Sequence, residues 1–322
     1  MSHPVILIDA DPLVYRAGFA SQSSSYECVF TDADGKMHHK IFSATRNKQA
    51  GQAKKDFIAA HPDWTLEEAS PLVEAEPLTF ALSGVKRTIQ ACVRDCLQHL
   101  QRATGRRSRY SKWDTHLYLT GPGNYREKVG TILPYKGNRK AEKPVHYQAI
   151  RGYLQEHWRA KMVEGHEADD ECSIVAGLMR GRGSPTIVCT IDKDLDQIPG
   201  YHYDYAKKVW YAISDEDARF MFWRQVISGD SVDNIQGMYK IGEAKAINLL
   251  EKALEGGIPL DSDQLWGYIV ALYADNMAKY PDKFPEGMSP QEAALETARL
   301  VKMQDYYGQL WTPPGLPDEE TT

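Results

Sequence analysis

Short apolar runs of strand length alternate with longer amphipathic stretches over most of this chain, and no other feature restricts its fold as strongly. Val5–Ile8 (VILI) is the first such run; Thr115–Thr120 (THLYLT) and Pro185–Thr190 (PTIVCT) follow, and Lys161–Glu164 is a further strand candidate between them. Each is far too short to cross a bilayer and has the length of a buried strand. Between them, Leu78–Ala103 has helical periodicity through Leu82, Val85, Ile89, Val93, Leu97 and Leu100, and stops before Gly105. Pro144 suits the first turn of a helix running to about Arg159, and Glu167–Met179 has the pattern of another. Strands alternating with helices predict an α/β fold, a mostly parallel sheet covered on both faces. Tyr26–Phe30 and Met37–Phe42 flank Asp34-Gly35, a hairpin signal. From about Asp215 the pattern is mostly helical, and the chain beyond Pro313 has the character of a disordered tail. The expected division is an α/β core over 1–213, a helical part over 214–312 and a tail over 313–322.

Composition narrows the class. Of 322 residues, 42% are hydrophobic and 25% charged, the proportions of a globular protein. Five cysteines are scattered without a C-x-x-C pair, which argues against a disulfide framework or structural zinc and for a reducing compartment. No charged start leads into an apolar stretch and cleavage site, so a cytoplasmic protein is expected, with no membrane contact. The formal charge is −6, yet it is unevenly spread. Arg102–Lys143 carries 11 Lys/Arg against 3 Asp/Glu. A basic segment on an acidic body can meet phosphates locally while the carboxylates do other work.

Those carboxylates fall at strand ends. Asp9 and Asp11 follow the first strand, Glu167, Asp169 and Asp170 the third, and Asp192, Asp194 and Asp196 the fourth. The crevice of an open α/β sheet lies outside the carboxyl ends of its strands, so three strands deliver acids to one rim. Asp230 and Asp233 stand three apart in GDSVDN. Two like charges 4 Å apart repel by about 4 kcal/mol at an effective dielectric near 20, so such a cluster needs cations. Hard oxygen donors with few histidines nearby point to magnesium or manganese. A pair of such ions about 3.5–4 Å apart is the usual device for in-line phosphodiester hydrolysis. His166, inside the acidic stretch, is expected to hydrogen-bond at a helix start, and Trp113, Trp158, Trp210, Trp223 and Trp311 to pack in the core.

Gly229–Ala246 reads GDSVDNIQGMYKIGEAKA. Two short helices flanking Gly237–Gly242 would make a helix-hairpin-helix, whose glycine turns and exposed N–H groups can hold a phosphate without reading sequence.

Taken together, IDADPLVYRA at Ile8–Ala17, NYREK and YKGNRK between Asn124 and Lys140, EADD at Glu167–Asp170, TIDKDLDQIP at Thr190–Pro199 and the GDSVDN…IGEAKA stretch resemble the 5′→3′ exonuclease and flap endonuclease family, most of all its short tailed-phage members. The resemblance implies a PIN-like sheet with a C-terminal helix-three-turn-helix element. It implies a hydrolase that works from 5′ ends of duplex DNA in replication by a two-metal mechanism, with RNA primers in hybrids as further substrates. A phage-encoded member would act in the host cytoplasm, and a monomer is expected. Asp9, Glu167 and Asp169 would serve the first Mg2+ or Mn2+. Asp170, Asp192, Asp194 and Asp233 would serve the second, with Asp230 in close support. A basic arch over about 121–143 would contribute Arg126, Lys136 and Arg139 at the scissile phosphate, and Lys140 beside them. Tyr125 or Tyr135 would stack on an unpaired base or pack structurally. Gly237, Lys240, Gly242 and Lys245 would grip the duplex arm, with a potassium ion on backbone oxygens in some relatives. One departure stands out: Gly121 occupies the slot where the family carries an acid after its second strand, and Asp11 is the candidate to compensate. Two other readings keep parts of this picture: a structure-specific 5′ flap endonuclease, and a non-catalytic DNA-binding protein with a degraded metal site.

Overall fold

The computed structural model describes residues 5–44, 47–104, 114–139 and 142–315. In chain order the first elements are β1 (Val5–Asp9), α1 (Asp11–Ala20), β2 (Gln22–Thr31), β3 (Met37–Ala44), α2 (Asn47–Ala60), β4 (Thr65–Ala75) and α3 (Leu78–Thr104). Then come β5 (Asp114–Asn124), α4 (Arg126–Val129), α5 (Tyr147–Trp158), β6 (Lys161–Gly165), α6 (Ala168–Gly181), β7 (Thr186–Thr190), β8 (Gly200–Asp204) and β9 (Val209–Ile213). The remainder is α7 (Asp215–Ser228), the two-residue strands β10 (Gly229–Asp230) and β11 (Ile235–Gln236), α8 (Glu243–Glu255), α9 (Asp263–Lys279) and α10 (Pro290–Val301).

The chain divides into two compact units. One comprises Met1–Pro12, Gln90–Ala141 and Gln155–Thr322; the other comprises Leu13–Ile89 and Glu142–Leu154. The helical residues after Asp215 belong to the first unit, together with the large sheet.

In the first unit a six-stranded sheet runs β6-β5-β1-β7-β8-β9. All neighbours are parallel except β8 and β9. β1 and β7 are buried at every position, which is why they read as unbroken apolar runs rather than alternating ones. Alternate residues face opposite sides. Val5, Leu7, Tyr118, Val163 and Val188 pack with Ala168, Cys172, Val175 and Ala176 of α6. On the opposite face, Cys189 meets Cys96 of α3, the sulfurs 3.6 Å apart. All five cysteines are free and buried. A second core joins α7 to α10 through Trp223, Ile227, Leu250, Trp266, Ile269, Tyr273 and Ala294. Two of its buried side chains bond to backbone oxygens: Trp223 Nε1 donates to Leu260 O at 2.7 Å and Tyr273 OH to Val226 O at 2.6 Å.

The second unit holds a three-stranded antiparallel sheet, order β3-β2-β4. The hairpin expected at Asp34-Gly35 is there, with Gly35 at φ +79°. Phe30, Phe57 and Trp64 form its aromatic core.

Three local differences from the sequence reading have physical causes. β5 does not leave the sheet at Gly121. It continues to Asn124 through a bulge, the three residues between Thr120 and Asn124 opposing the single residue between Val163 and Gly165. α5 starts at Tyr147, three residues past Pro144, whose carbonyl accepts from Tyr147 N at 2.9 Å. The segment before Gly237 is a small β-ladder, Gly229–Asp230 against Ile235–Gln236, and the helices flanking the loop are full-length, 14 and 13 residues. The expectations for Trp113, Lys140 and the chain after Gly315 lie outside the described residues.

Candidate metal and nucleic-acid site

The sheet's central strand has β5 on one side and β7 on the other, so the carboxyl ends of all three open on one crevice. Asp9 ends β1, 5% exposed, and its Oδ1 accepts from Asp11 N at 3.2 Å. Asp11 opens α1, and its Oδ2 accepts from Thr120 N at 2.9 Å. Thr120 Oγ1 in turn accepts from Ala168 N at 3.0 Å. Polar links therefore tie the ends of β1 and β5 to the start of α6. Glu167 caps α6 reciprocally with Asp170, in a capping box. After β7, Asp192 caps a short 3-10 turn by accepting from Asp194 N at 3.0 Å, and Asp194 Oδ1 accepts from Gln225 Nε2 at 2.8 Å. Asp230 Oδ1 holds the turn at Val232 N, 2.8 Å away.

Gly121 has a steric explanation. A Cβ there would lie 2.3 Å from the Val163 carbonyl oxygen, so this backbone path admits no side chain and no acid. The Asp11 carboxylate stands at the same strand end, on the neighbouring Thr120 amide.

All eight acids singled out from the sequence share one electrostatic field. Burial, then the Asp11, Asp192 and Glu167 carboxylates, raise Asp9 well above the usual carboxylate range. Burial with Glu167 and Asp170 does the same to Asp169. Desolvation in the crevice, with Asp233 and Asp230 nearby, raises Asp192, and burial with Asp192 and Asp230 pushes Asp194 up to about 7. Crowded like charges produce such shifts when cations do not fully offset them.

Cations do reach part of the cluster. Lys136 Nζ pairs with Glu167 Oε1 and lies 3.4 Å from Asp233 Oδ2, and Arg139 pairs with Asp233 Oδ1. The Tyr135 hydroxyl lies 2.7 Å from Glu167 Oε2 and 2.9 Å from Asp233 Oδ2, so its single proton is shared between two acceptors. Backbone contacts lock the same two segments: Lys136 N donates to Asp233 O at 2.8 Å, Asn138 Nδ2 to Ser231 O at 2.9 Å and Asn234 Nδ2 to Pro134 O at 2.9 Å. Lys136 and Asn234 both adopt left-handed backbone, φ +54° and +59°. Such conformations in non-glycine residues persist where surrounding contacts impose them. YKGNR and GDSVDN, far apart in sequence, are thus one interlocked structure.

Arg126 and Asp170 differ from the expectation. Arg126 is 3% exposed and Asp170 fully buried. The guanidinium grips the carboxylate with two bonds, 2.6 and 2.9 Å, and donates to Leu300 O and Lys302 O at 2.8 Å each. Asp170 also accepts from Glu167 N at 3.1 Å and Gln304 N at 3.0 Å. With four donors on its two oxygens, Asp170 has no lone pair turned to the crevice, and Arg126 faces no solvent phosphate. The pair acts as a buried brace. Tyr125 belongs to it, its ring 4.7 Å from the guanidinium and its hydroxyl donating to Lys302 O at 3.3 Å. His166 hydrogen-bonds to Glu171 Oε2 at 2.8 Å, the helix-start role expected of it.

One contributor gave no sequence signal. Glu296 of α10, 8% exposed, accepts from Thr131 N and Ile132 N at 2.8 Å each and from Thr131 Oγ1. It fixes the base of the segment that carries Lys136 and Arg139. Its place within the regular pattern of a helix conceals it.

In the helical hairpin, Gly229 (φ +66°) and Gly237 are pressed together: a Cβ on either would lie 2.3 Å from the other's amide nitrogen. Gly237 therefore packs the loop. Gly242 caps α8 with open space around it, Lys240 is left-handed at φ +61°, and Lys240 and Lys245 are exposed.

The donor set suits a hard divalent ion, since it is made of carboxylate oxygens held near one another against their mutual repulsion. Among the described residues no three such groups converge as a ready coordination shell. The Lys136 ammonium, the Arg139 guanidinium and the Tyr135 hydroxyl are instead the partners of Glu167 and Asp233.

No family model matches the chain. A DNA polymerase I of Rhizobium leguminosarum is 34% identical over 132 residues, 37% of this chain, and the chain spans only 13% of that relative's length. Among solved structures, a zinc-bound T5 5′-exonuclease matches 66% of this chain and 80% of its own at 16% identity, with a TM-score of 0.42. A bacteriophage T5 flap endonuclease in a pseudo-enzyme-product complex with DNA and metal ions matches 70% and 84% at 16% identity, with a TM-score of 0.40.

Proposed function

We propose that this chain is a divalent-metal-dependent nuclease that hydrolyses phosphodiester bonds from the 5′ ends of duplex DNA. The observation that carries the reading is the meeting of acids from four separate segments in one field, with Lys136 and Arg139 among them. Asp170 is spent on Arg126, so Asp9, Asp169, Asp192, Asp194 and Asp230 are the carboxylates left to hold magnesium or manganese, as two ions. Bound there, such ions activate water and neutralise charge on the leaving oxygen. Lys136 and Arg139 stabilise charge developing on the scissile phosphate. The Tyr135 hydroxyl keeps Glu167 and Asp233 in register with that lysine. The α7–α8 loop, with Lys240, Gly242 and Lys245, holds the duplex backbone, and potassium on its carbonyls belongs to the same reading. RNA strands in hybrids fall within reach, because metal and backbone contacts need not read the 2′-hydroxyl.

The test is product release from a 5′-labelled duplex in magnesium. Asp192→Asn is expected to slow it by about a hundredfold or more; unchanged release in that variant removes the proposed site. Matched blunt and 5′-flap substrates decide between end-trimming and flap incision. The non-catalytic reading rested on Gly121, and a carboxylate, that of Asp11, does stand at that strand end.

A further inference from the structure

Beside the α7–α8 loop, Lys279, Tyr280 and Lys283 lie outside the helix-hairpin-helix pattern and extend the surface that its Tyr239 and Lys240 begin. The rings of Tyr239, in the loop, and Tyr280, at the end of α9, meet edge-on with centres 5.1 Å apart. Three ammonium groups surround them. Lys240 Nζ is 5.4 Å from the Tyr239 ring centre and 5.5 Å from that of Tyr280. Lys279 Nζ is 5.4 Å from Tyr280, and Lys283 Nζ 5.4 Å from Tyr239. The cluster is rigidly seated: Asn276 accepts from Tyr239 N at 2.8 Å and donates to Tyr239 O at 3.1 Å, while Gln236 Nε2 donates to Lys283 O at 2.7 Å. Lys245, exposed on the first turns of α8, donates to Lys240 O at 3.4 Å. Among the described residues only Lys283 of these four lysines has a carboxylate partner, Asp282 at 2.6 Å.

Converging ammonium groups repel one another unless anions are supplied. Here the tyrosine faces hold them by cation–π attraction, which leaves N–H bonds to donate outward. Because the two rings pack on each other and under lysines, they are poorly disposed to stack on unpaired bases. A surface of this kind grips a phosphate backbone rather than a single strand's bases.

We propose that Lys279 and Lys283, set around the Tyr239–Tyr280 pair with Lys240, form a second phosphate-contact surface for duplex DNA, beyond the α7–α8 loop. The inference rests on the reading that the chain acts on DNA, but not on the chemistry of the acidic crevice. It is tested on the full chain with chelator present, by fluorescence anisotropy of a blunt labelled duplex and of its single strand over a range of salt. The Lys279→Ala/Lys283→Ala double variant is expected to bind duplex about tenfold more weakly, with a log–log salt slope shallower by about 1.8, the value for two lost phosphate contacts. Its single-strand affinity stays as in the parent. Asp282→Asn, which releases Lys283, tightens duplex binding. Parental duplex affinity and slope in the double variant overturn the proposal, as does equal weakening for single strand and duplex. Asp192→Asn separates the two claims: retained cleavage in that variant defeats the nuclease site while the lysine effect on binding stands.

Discussion

A guanidinium and a carboxylate buried together, as Arg126 and Asp170 are, stabilise a fold only as a pair. Removing one partner strands the other charge away from water, at a cost of about 3–5 kcal/mol. Asp170→Asn and Arg126→Met are each expected to lose that much in urea unfolding. A double replacement by apolar residues should recover part of it. Parental stability in Asp170→Asn, with weakened manganese binding, would instead return Asp170 to the metal set. Asp194 behaves in the opposite sense. Its folded carboxyl titrates near 7, above the unfolded value of about 4, so the folded state holds a proton that the unfolded chain has released between those pH values. The stability this proton contributes is whole below about pH 4 and is lost as pH rises through 7. Thermal melts of chelated protein should therefore show Asp194→Asn flattening the decline between pH 4 and 7; parallel curves for variant and parent would contradict the assignment.

The interlock of Pro134–Arg139 with Ser231–Asn234 is the element on which the crevice depends. It sits on two supports, the Glu296 carboxylate under Thr131–Ile132 and the Gly229–Gly237 contact under the β10–β11 ladder. Gly229 is both left-handed and out of room, which makes Gly229→Ala a sharp probe of the second support. That change is expected to destabilise by about 1–3 kcal/mol, from backbone strain and displacement of Gly237. Denaturant unfolding checks it, and a neutral result would mean that the loop has slack the geometry does not suggest. The same element shows how far sequence reading went. The carboxylates of GDSVDN and the cations of YKGNRK were visible as separate motifs. Their joining was not, since residue type does not say which cation meets which carboxylate, and part of the link runs through the backbone carbonyls of Asp233, Ser231 and Pro134.

Across the whole chain, a −6 total coexists with a +8 stretch, and the acids at the crevice are only partly offset by cations. A divalent ion bound by the folded state alone stabilises by mass action, about 2.7 kcal/mol at a hundredfold excess over its Kd. Magnesium or manganese is therefore expected to raise the melting temperature of the parent, and much less that of Asp9→Asn or Asp192→Asn. Equal shifts in all three would mean that the ions bind elsewhere. No helix among the described residues is long and apolar enough to cross a membrane.

What the sequence determined alone follows from short-range physics. Short runs rich in β-branched residues at Val5–Ile8 and Pro185–Thr190 have the length and composition of strands covered on both faces, which puts the acids after them at the sheet's carboxyl rim. Periodicity likewise settled α3 and α6. Where the pattern is weak, reading failed: β4 carries Pro71 and several glutamates on an exposed edge, and β8 mixes aromatic and polar residues as GYHYD. Tertiary structure alone decided which charges are spent on one another. Asp170 and Asp169 are adjacent and look equivalent in sequence, yet one is saturated by Arg126 and the other is left crowded by carboxylates. Pairing of that kind depends on direction and distance between distant segments, and on how little water remains between them, quantities that residue type and spacing do not encode.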